Sequence, residues 1–326
     1  MKRREFIARL GGAAAWPLVA RAQQPAMPAI GFMSGRSQTD SDYLVTAFRE
    51  GLTEAGFTDG INVTIVFRWA EGQPERLSGL AAELVARPVA VLVGVGGDLS
   101  ARAAKRATST IPVVFGMGDD PVKAGLVDSF NRPGGNATGF TLWTSRLEAK
   151  RLGLLHELTP GIALVGILLN PEFPSAAAQL QEIEGAARVL NQKILVMNVS
   201  NDDELTAAFE GLLEQQIGAL QVAADPFFDT RRRRIIEFAA QNRIPAIYQF
   251  REYAVSGGLI SYGPRITDLY NQAGRYAGRI LRGTSPSDLP IVQPTRFEMV
   301  VSLNTAKALG LAIPNSIQLL ADEVIE

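Results

Sequence analysis

The sequence predicts an α/β protein built from two doubly wound parallel-sheet lobes. Three observations carry this reading. From Ala29 onward, short apolar runs alternate with segments whose apolar residues recur at helical spacing, the pattern of buried parallel strands joined by crossover helices. The alternation comes in two series, the second beginning at Ser145. The two series also share an echo: Ala107 to Phe115 and Ala240 to Tyr248 each run helix end, Ile-Pro, strand, aromatic, with the same spacing from proline to aromatic. A proline at the first residue of a strand is tolerated, because its missing N–H falls outside the ladder. The length of 326 residues agrees, since domains of ~150 residues make this about two.

In the first series, 29–34 is a strand. Asp40 is a plausible N-cap for the next helix, in which Tyr43, Leu44, Ala47, Phe48, Leu52 and Ala55 share one face and Gly56 ends the run. A strand at 62–67, a helix carrying Leu77, Leu80, Ala81, Leu84 and Val85, a strand at 89–93, a helix at 98–107 and a strand at 112–115 complete four β–α repeats. The second series reads helix 146–158, strand 163–169, helix 175–190 and strand 193–199. There follow a helix that opens on an Asn201/Glu204 capping box, strand 219–223, helix 230–241 and strand 245–248. Arg231 to Arg234 open a helix where positive charge opposes the dipole, and they are expected to be a solvated surface.

Composition removes much of the catalytic inventory. With no cysteine and a single histidine, thiol nucleophiles, disulfides, zinc sites and iron–sulfur clusters lack their ligands, and no cofactor is expected. His156 lies on an amphipathic helix and is read as structural. Gly94-Val95-Gly96-Gly97 is not a dinucleotide fingerprint, because Leu99 stands where G-x-G-x-x-G needs its third glycine.

Residues 1–22 read as an export signal, with Lys2-Arg3-Arg4 ahead of a mildly apolar run and Ala20-Arg21-Ala22 as a cleavage site. Arg3-Arg4-Glu5-Phe6-Ile7 resembles the twin-arginine export motif, so a periplasmic location is expected. Removing this segment takes away five bases and one acid and leaves 27 bases against 32 acids, a net charge of −5. An acidic chain repels phosphate backbones, so no nucleic acid partner is expected.

In open parallel sheets, ligands bind beyond the carboxyl ends of the strands. That rule selects Ser34, the Gly96-Gly97-Asp98 turn, Phe115, Asp119 and Asp120 in the first lobe, and Asn170, Asp225, Phe227, Tyr248 and Gln249 in the second. Trp143 lies between the two series, where a chain crossing between lobes would pass. The glycine turn could hold a ligand carboxylate, Asp120 or Asp225 an ammonium, and the aromatic residues a slot between them.

Several blocks resemble one family. They are Ile111-Pro112-Val113-Val114-Phe115, Asp120-Pro121-Val122, Arg132-Pro133-Gly134-Gly135-Asn136-Ala137-Thr138-Gly139, Tyr262-Gly263-Pro264, Leu289 to Glu298, and Asn304 to Leu311 with Ala321-Asp322-Glu323. Across the chain after the signal, the sequence is similar to the exported substrate-binding proteins of bacterial ATP-driven importers, of the tryptophan/tyrosine-binding type. The resemblance implies a type I periplasmic binding protein fold, with lobe 1 at 28–142 plus 264–290, lobe 2 at 143–263 plus 291–326, and a three-segment hinge near 141–144, 261–264 and 289–293. It also implies a monomeric receptor that closes on a small-molecule solute and delivers it to a membrane permease, with Tyr262 beside the cleft. Two alternatives stay open on the residues alone. One is an exported enzyme using Asp98, Asp119 or Asp225 as acid and base, and the other is a sensor lobe serving a membrane kinase.

Overall fold

A computed structural model describes residues 27–326. The proposed export signal lies outside the described residues. The first sheet is built from β1 (Ala29–Ser34), α1 (Asp42–Glu54), β2 (Thr64–Trp69), α2 (Leu77–Val85), β3 (Val89–Val95), α3 (Asp98–Ala107), β4 (Val113–Met117) and β5 (Ala137–Thr141), with strand order β2-β1-β3-β4-β5, all parallel. Alternation sends Val91, Val93 and Val95 to one face under α1, and Leu92, Val113 and Phe115 to the other under α2 and α3. Both faces are thus covered, which is why these strands read as continuous apolar runs.

The second unit runs α4 (Glu148–Leu158), β6 (Leu164–Leu169), α5 (Ala176–Val189), β7 (Lys193–Asn198), α6 (Asp202–Glu214), β8 (Ala219–Val222), α7 (Pro226–Thr230), α8 (Arg232–Gln241), β9 (Ala246–Tyr248), α9 (Arg251–Val255) and β10 (Ile260–Pro264). The chain then makes α10 (Ile266–Leu281), β11 (Phe297–Ser302), α11 (Leu303–Leu309), α12 (Asn315–Leu320) and β12 (Glu323–Ile325). The strand order is β12-β11-β10-β9-β8-β6-β7, parallel except for the β10–β11 pair. Read from β7, this order repeats that of the first sheet, with β6, β8 and β9 in the places of β1, β3 and β4. The echo therefore falls on equivalent strands, β4 and β9.

Helix α10 follows β10 in the chain but packs on α1 of the first unit. The two helices come so close that a Cβ on Gly51 would run into the Asn271 carbonyl, and one on Gly274 into that of Phe48. The chain passes between sheets three times: after Thr141, after Pro264, and between Val292 and Phe297. Ile291 and Val292 donate to Phe130, in the loop before β5, and to Gly139 of β5 (2.7 and 2.9 Å). Trp143, at φ +51°, ties the first passage to the third through Nε1–H to Gln293 Oε1 (2.9 Å). Among the described residues no helix is long and apolar enough to cross a membrane.

Other expectations shift. The capping box forms, with Asn201 Oδ1 accepting from Glu204 N and Glu204 Oε2 from Ser200 N (2.9 and 2.7 Å). Helix α1 is entered from Ser41, while Asp40 accepts from Ser37 Oγ and lies 3.6 Å from Arg232. The arginine run is largely partnered: Arg231 and Arg234 flank Asp202, Arg231 stacks on Phe227, Arg233 faces solvent and Arg234 stays partly exposed. Strand β5 directly follows Arg132-Pro133-Gly134-Gly135-Asn136, where the sequence shows no apolar run.

Candidate functional site

The carboxyl ends of β1, β3 and β4 face those of β6, β8 and β9 across a cleft between the two sheets. The loops that leave those ends enclose two adjoining chambers. The inner one holds about 390 Å³ of space free of atoms and is lined by Phe140, Leu142, Phe173, Phe250, Ile266 and Tyr270 together with Arg36, Thr144, Asp229 and Gln249. The outer one, about 690 Å³, is walled by Asp98, Ser100, Asn170, Glu172 and Phe227. Gly96, Gly97, Phe173, Asp225 and Pro226 line both, so the chambers share a wall.

Polar contacts cross the cleft at two places. Arg36, two residues beyond β1, ion-pairs with Asp229 of α7, and both side chains are almost wholly buried. Burial disfavours the guanidinium charge, but the Asp229 carboxylate more than offsets it and holds Arg36 cationic. Asp229 also accepts from Gln249 Nε2, while Arg36 Nε and Nη1 have no partner. At the second place, Ser175 Oγ at the start of α5 lies 3.2 Å from Asp119 Oδ2 and 3.4 Å from Asp98 Oδ2. These cross-cleft bonds define a closed arrangement.

Two buried carboxyls are perturbed. Burial pushes Asp98 up to about 6, against the Gly118 N–H that donates to it at 2.6 Å. Burial likewise pushes Asp225 up to about 7, although Phe227 N and the Asn170 amide donate to it (2.5 and 3.2 Å). Neither forms a salt bridge among the described residues.

Of the residues singled out in the sequence, Gly96, Gly97, Asp98, Asn170, Asp225, Phe227 and Gln249 line the chambers. Ser34 sits just behind, its Oγ accepting from Arg36 N (3.2 Å). Asp119 reaches the cleft edge through Ser145 and Ser175. The others lie elsewhere. Phe115 points into the first core, because its strand neighbours Gly116 and Gly118 take the cleft-facing register. Tyr248 stacks on Tyr253 (4.5 Å) inside the second unit. Asp120 caps the turn at Val122 and Lys123. Trp143 is held in the hinge between Phe130 and Arg146, and the Tyr262 ring tilts against Phe297. His156 bonds Gln192 (3.0 Å), a structural role.

Sequence reasoning missed Arg36, Asp229, Phe173, Phe250 and Tyr270. The strand-end rule carried two residues past Ser34 would have reached Arg36. No local signal marks Asp229, whose partner is 193 positions away.

The family model of the ABC transporter substrate binding protein matches residues 32–325. The chain belongs to that family. It is the substrate-binding component of an ABC transporter, a class that binds small solutes and works with a membrane permease. It is 28% identical over 264 residues to a tyrosine-binding protein of Clostridioides difficile strain R20291, covering 81% of this chain and 75% of that one. Among solved structures, it matches an ABC domain in complex with L-Trp from Streptococcus pneumonia, with a TM-score of 0.82 and 24% identity over 91% of this chain and 99% of the other. It also matches the ligand-free, open structure of a substrate-binding protein with adhesive properties from Clostridium difficile, with a TM-score of 0.64 and 25% identity over 91% and 99%.

A substrate-binding protein must keep its cleft wall in shape while the lobes move. Here Glu148 and Arg151, both fully buried, supply that support. Glu148 accepts from Ala224 N (2.9 Å) in the cleft loop and from Gln221 Nε2 (2.7 Å), while Arg151 donates to the carbonyls of Thr144 and Tyr262 (2.9 and 3.1 Å) in two of the hinge passages. Every charge in the pair is hydrogen-bonded, the condition under which a buried pair is tolerated.

Proposed function

We propose that the interlobe cleft binds a small solute with an apolar, aromatic body, the class represented by tyrosine and tryptophan. The observation that carries this is the inner chamber: a partly open space walled by Phe140, Leu142, Phe173 and Phe250, with a buried, partly unpartnered guanidinium in one wall. Aromatic walls take aromatic rings, and an Arg with free N–H groups takes a carboxylate. The solute's carboxylate is assigned to Arg36 rather than to the Gly96-Gly97 turn, where Asp98 and Asp225 would repel it. The names of the relatives support the same solute class.

The protein acts by binding and release, without turnover, and presents the closed, loaded form to a permease. Export across the inner membrane, by the twin-arginine route, accounts for the basic leader and fits the family. A thermal-shift screen of the proteinogenic amino acids tests the reading, because a ligand selective for the native state raises Tm with its concentration. Tyrosine or tryptophan should give the largest shift. A screen in which neither shifts Tm, or in which a product accumulates on incubation, contradicts it.

A further inference from the structure

We propose that the cleft takes its aromatic amino acid most tightly when the nitrogen is acylated, the aromatic residue filling the inner chamber and the acyl group the outer one. The inference rests on the interlobe cleft being the solute site and on Arg36 holding the carboxylate. Four observations lead to it.

The first is room. The outer chamber, about 690 Å³, is larger than the inner one at about 390 Å³, yet Phe140, Leu142 and Phe250, which wall the ring, line only the inner one. A free amino acid seated there leaves the outer chamber to water, and an apolar group that displaces loosely held water gains affinity. The second is direction. Gly96 lies on the wall that the chambers share, and a Cβ there would come within 3.3 Å of Arg36 Cγ. A carboxylate held by Arg36 therefore sets the α-carbon beside that wall, with the ring on the inner side and the nitrogen leading outward.

The third is the polar capacity left open. Among the described residues, Arg36 and Ser100 are the chamber-lining side chains with a buried polar atom that has no partner. The acids near the shared wall are already engaged, Asp98 by Gly118 N (2.6 Å) and Asp225 by Phe227 N and the Asn170 amide (2.5 and 3.2 Å). Ser100, 1% exposed, lines the outer chamber. A buried hydroxyl without a partner carries a free-energy penalty that a ligand's acceptor relieves. The carbonyl of an amide on the solute's nitrogen supplies that acceptor without bringing a further charge into a buried wall.

The fourth is the far end of the outer chamber. Pro74, Leu77, Leu99 and Phe227 give it apolar walls, and the first three also line an open groove between α2 and α3. Leu99 stands 36% exposed at that opening. The chamber thus runs out between two helices instead of closing, and a chain attached to the solute's nitrogen has an apolar path along it. Each methylene buried on that path adds roughly fourfold to affinity.

Calorimetry tests this with a tryptophan and a tyrosine series: the free amino acid, its N-acetyl and N-butanoyl derivatives, the dipeptide with leucine on its nitrogen, and the dipeptide in reversed order. The N-butanoyl derivative or the N-leucyl dipeptide should bind at least roughly tenfold tighter than the free amino acid, and the reversed dipeptide at least roughly tenfold more weakly than the N-leucyl one. A gain confined to the N-leucyl dipeptide identifies the acyl group as aminoacyl, and a gain confined to the N-butanoyl derivative identifies a simple acyl chain; both support the inference. Ser100→Ala should cut the ratio of acylated to free affinity by roughly fivefold, and Leu99→Trp, which fills the chamber from its exposed end, should bring it close to one. Both affinities are measured on the same protein, so a general loss of folded material leaves the ratio unmoved. Acylated compounds that bind no tighter than the free amino acid, a reversed dipeptide that binds as well as the N-leucyl one, or a ratio that both variants keep in full overturns the inference and leaves the proposed function standing. If no compound of either series binds, the proposed solute class falls and the inference falls with it.

Discussion

Replacing Asp229 by asparagine isolates the cross-cleft ion pair. The substitution keeps the size of the side chain and an acceptor for Gln249, but leaves the Arg36 guanidinium, almost wholly buried, without its counter-charge. Removing one partner of a buried pair costs about 3–5 kcal/mol. That cost falls on the closed form alone, because opening the cleft returns both side chains to water. The closed-to-open ratio should therefore fall by roughly 10²- to 10⁴-fold, and the apparent Kd for tryptophan or tyrosine, which scales inversely with the closed fraction, should rise by up to the same factor. Neither residue belongs to the apolar core of its lobe, so the thermal unfolding midpoint without solute should move by only a few degrees. Calorimetry gives the Kd, and small-angle scattering without solute gives compactness. The double variant Arg36→Met/Asp229→Leu, read by scattering alone, should recover much of the compactness, since apolar replacement of a buried pair is often neutral or better. An Asp229→Asn protein that binds within threefold of wild type and scatters identically would refute the reasoning.

Gly97→Ala should weaken solute binding by at least roughly tenfold in calorimetry, because its Cβ meets the Pro226 ring when the lobes close and its φ of +123° suits glycine alone. Gly274→Val drives a side chain into the Phe48 carbonyl at the α1–α10 crossing, and differential scanning calorimetry should show a loss of about 1–3 kcal/mol or more. Glu148→Gln strands the buried Arg151 charge and should cost about 3–5 kcal/mol in denaturant unfolding, whether or not solute is present. Asp98 and Asp225 lie above their ordinary 3.8, at about 6 and about 7, so the compact empty form binds protons that the open form releases. Its stability is greatest below the ordinary value and falls as pH rises through the two raised values. Fluorescence transfer between dyes on the two lobes should show the empty protein opening as pH rises over that window, and the double Asn variant should lack the transition.

Much of the scaffold was legible because burial on both faces leaves plain marks. The runs at β3 and β6 are apolar throughout, β1 and β8 each carry a single polar residue, and the Ile-Pro echo pointed to two halves with equivalent β4 and β9. Strand β5, Ala-Thr-Gly-Phe-Thr, was not legible: a glycine and two threonines make no apolar run, and the strand is buried only because a tertiary partner covers it. The strand-end rule reached Asp98 and Asp225, which line the chambers, since they follow closely on strongly marked strands. It erred at Phe115 and Tyr248, because a strand's last residues alternate between core and cleft, and one residue of register decides which. Arg36 lay two residues past the point where the rule stopped, and Asp229 was beyond reach from sequence, as it looks like an ordinary helix residue until it is buried against Arg36.

A single aromatic amino acid is proposed to bind between the lobes. Calorimetric titration of tryptophan and tyrosine into the wild-type protein and into Leu142→Trp, which fills the inner chamber, tests it most directly. Saturable binding at one site per chain is expected for the wild type, with loss of that binding in the filled variant, its fold intact. Binding of equal strength in both proteins, or no binding in the wild type, would contradict it.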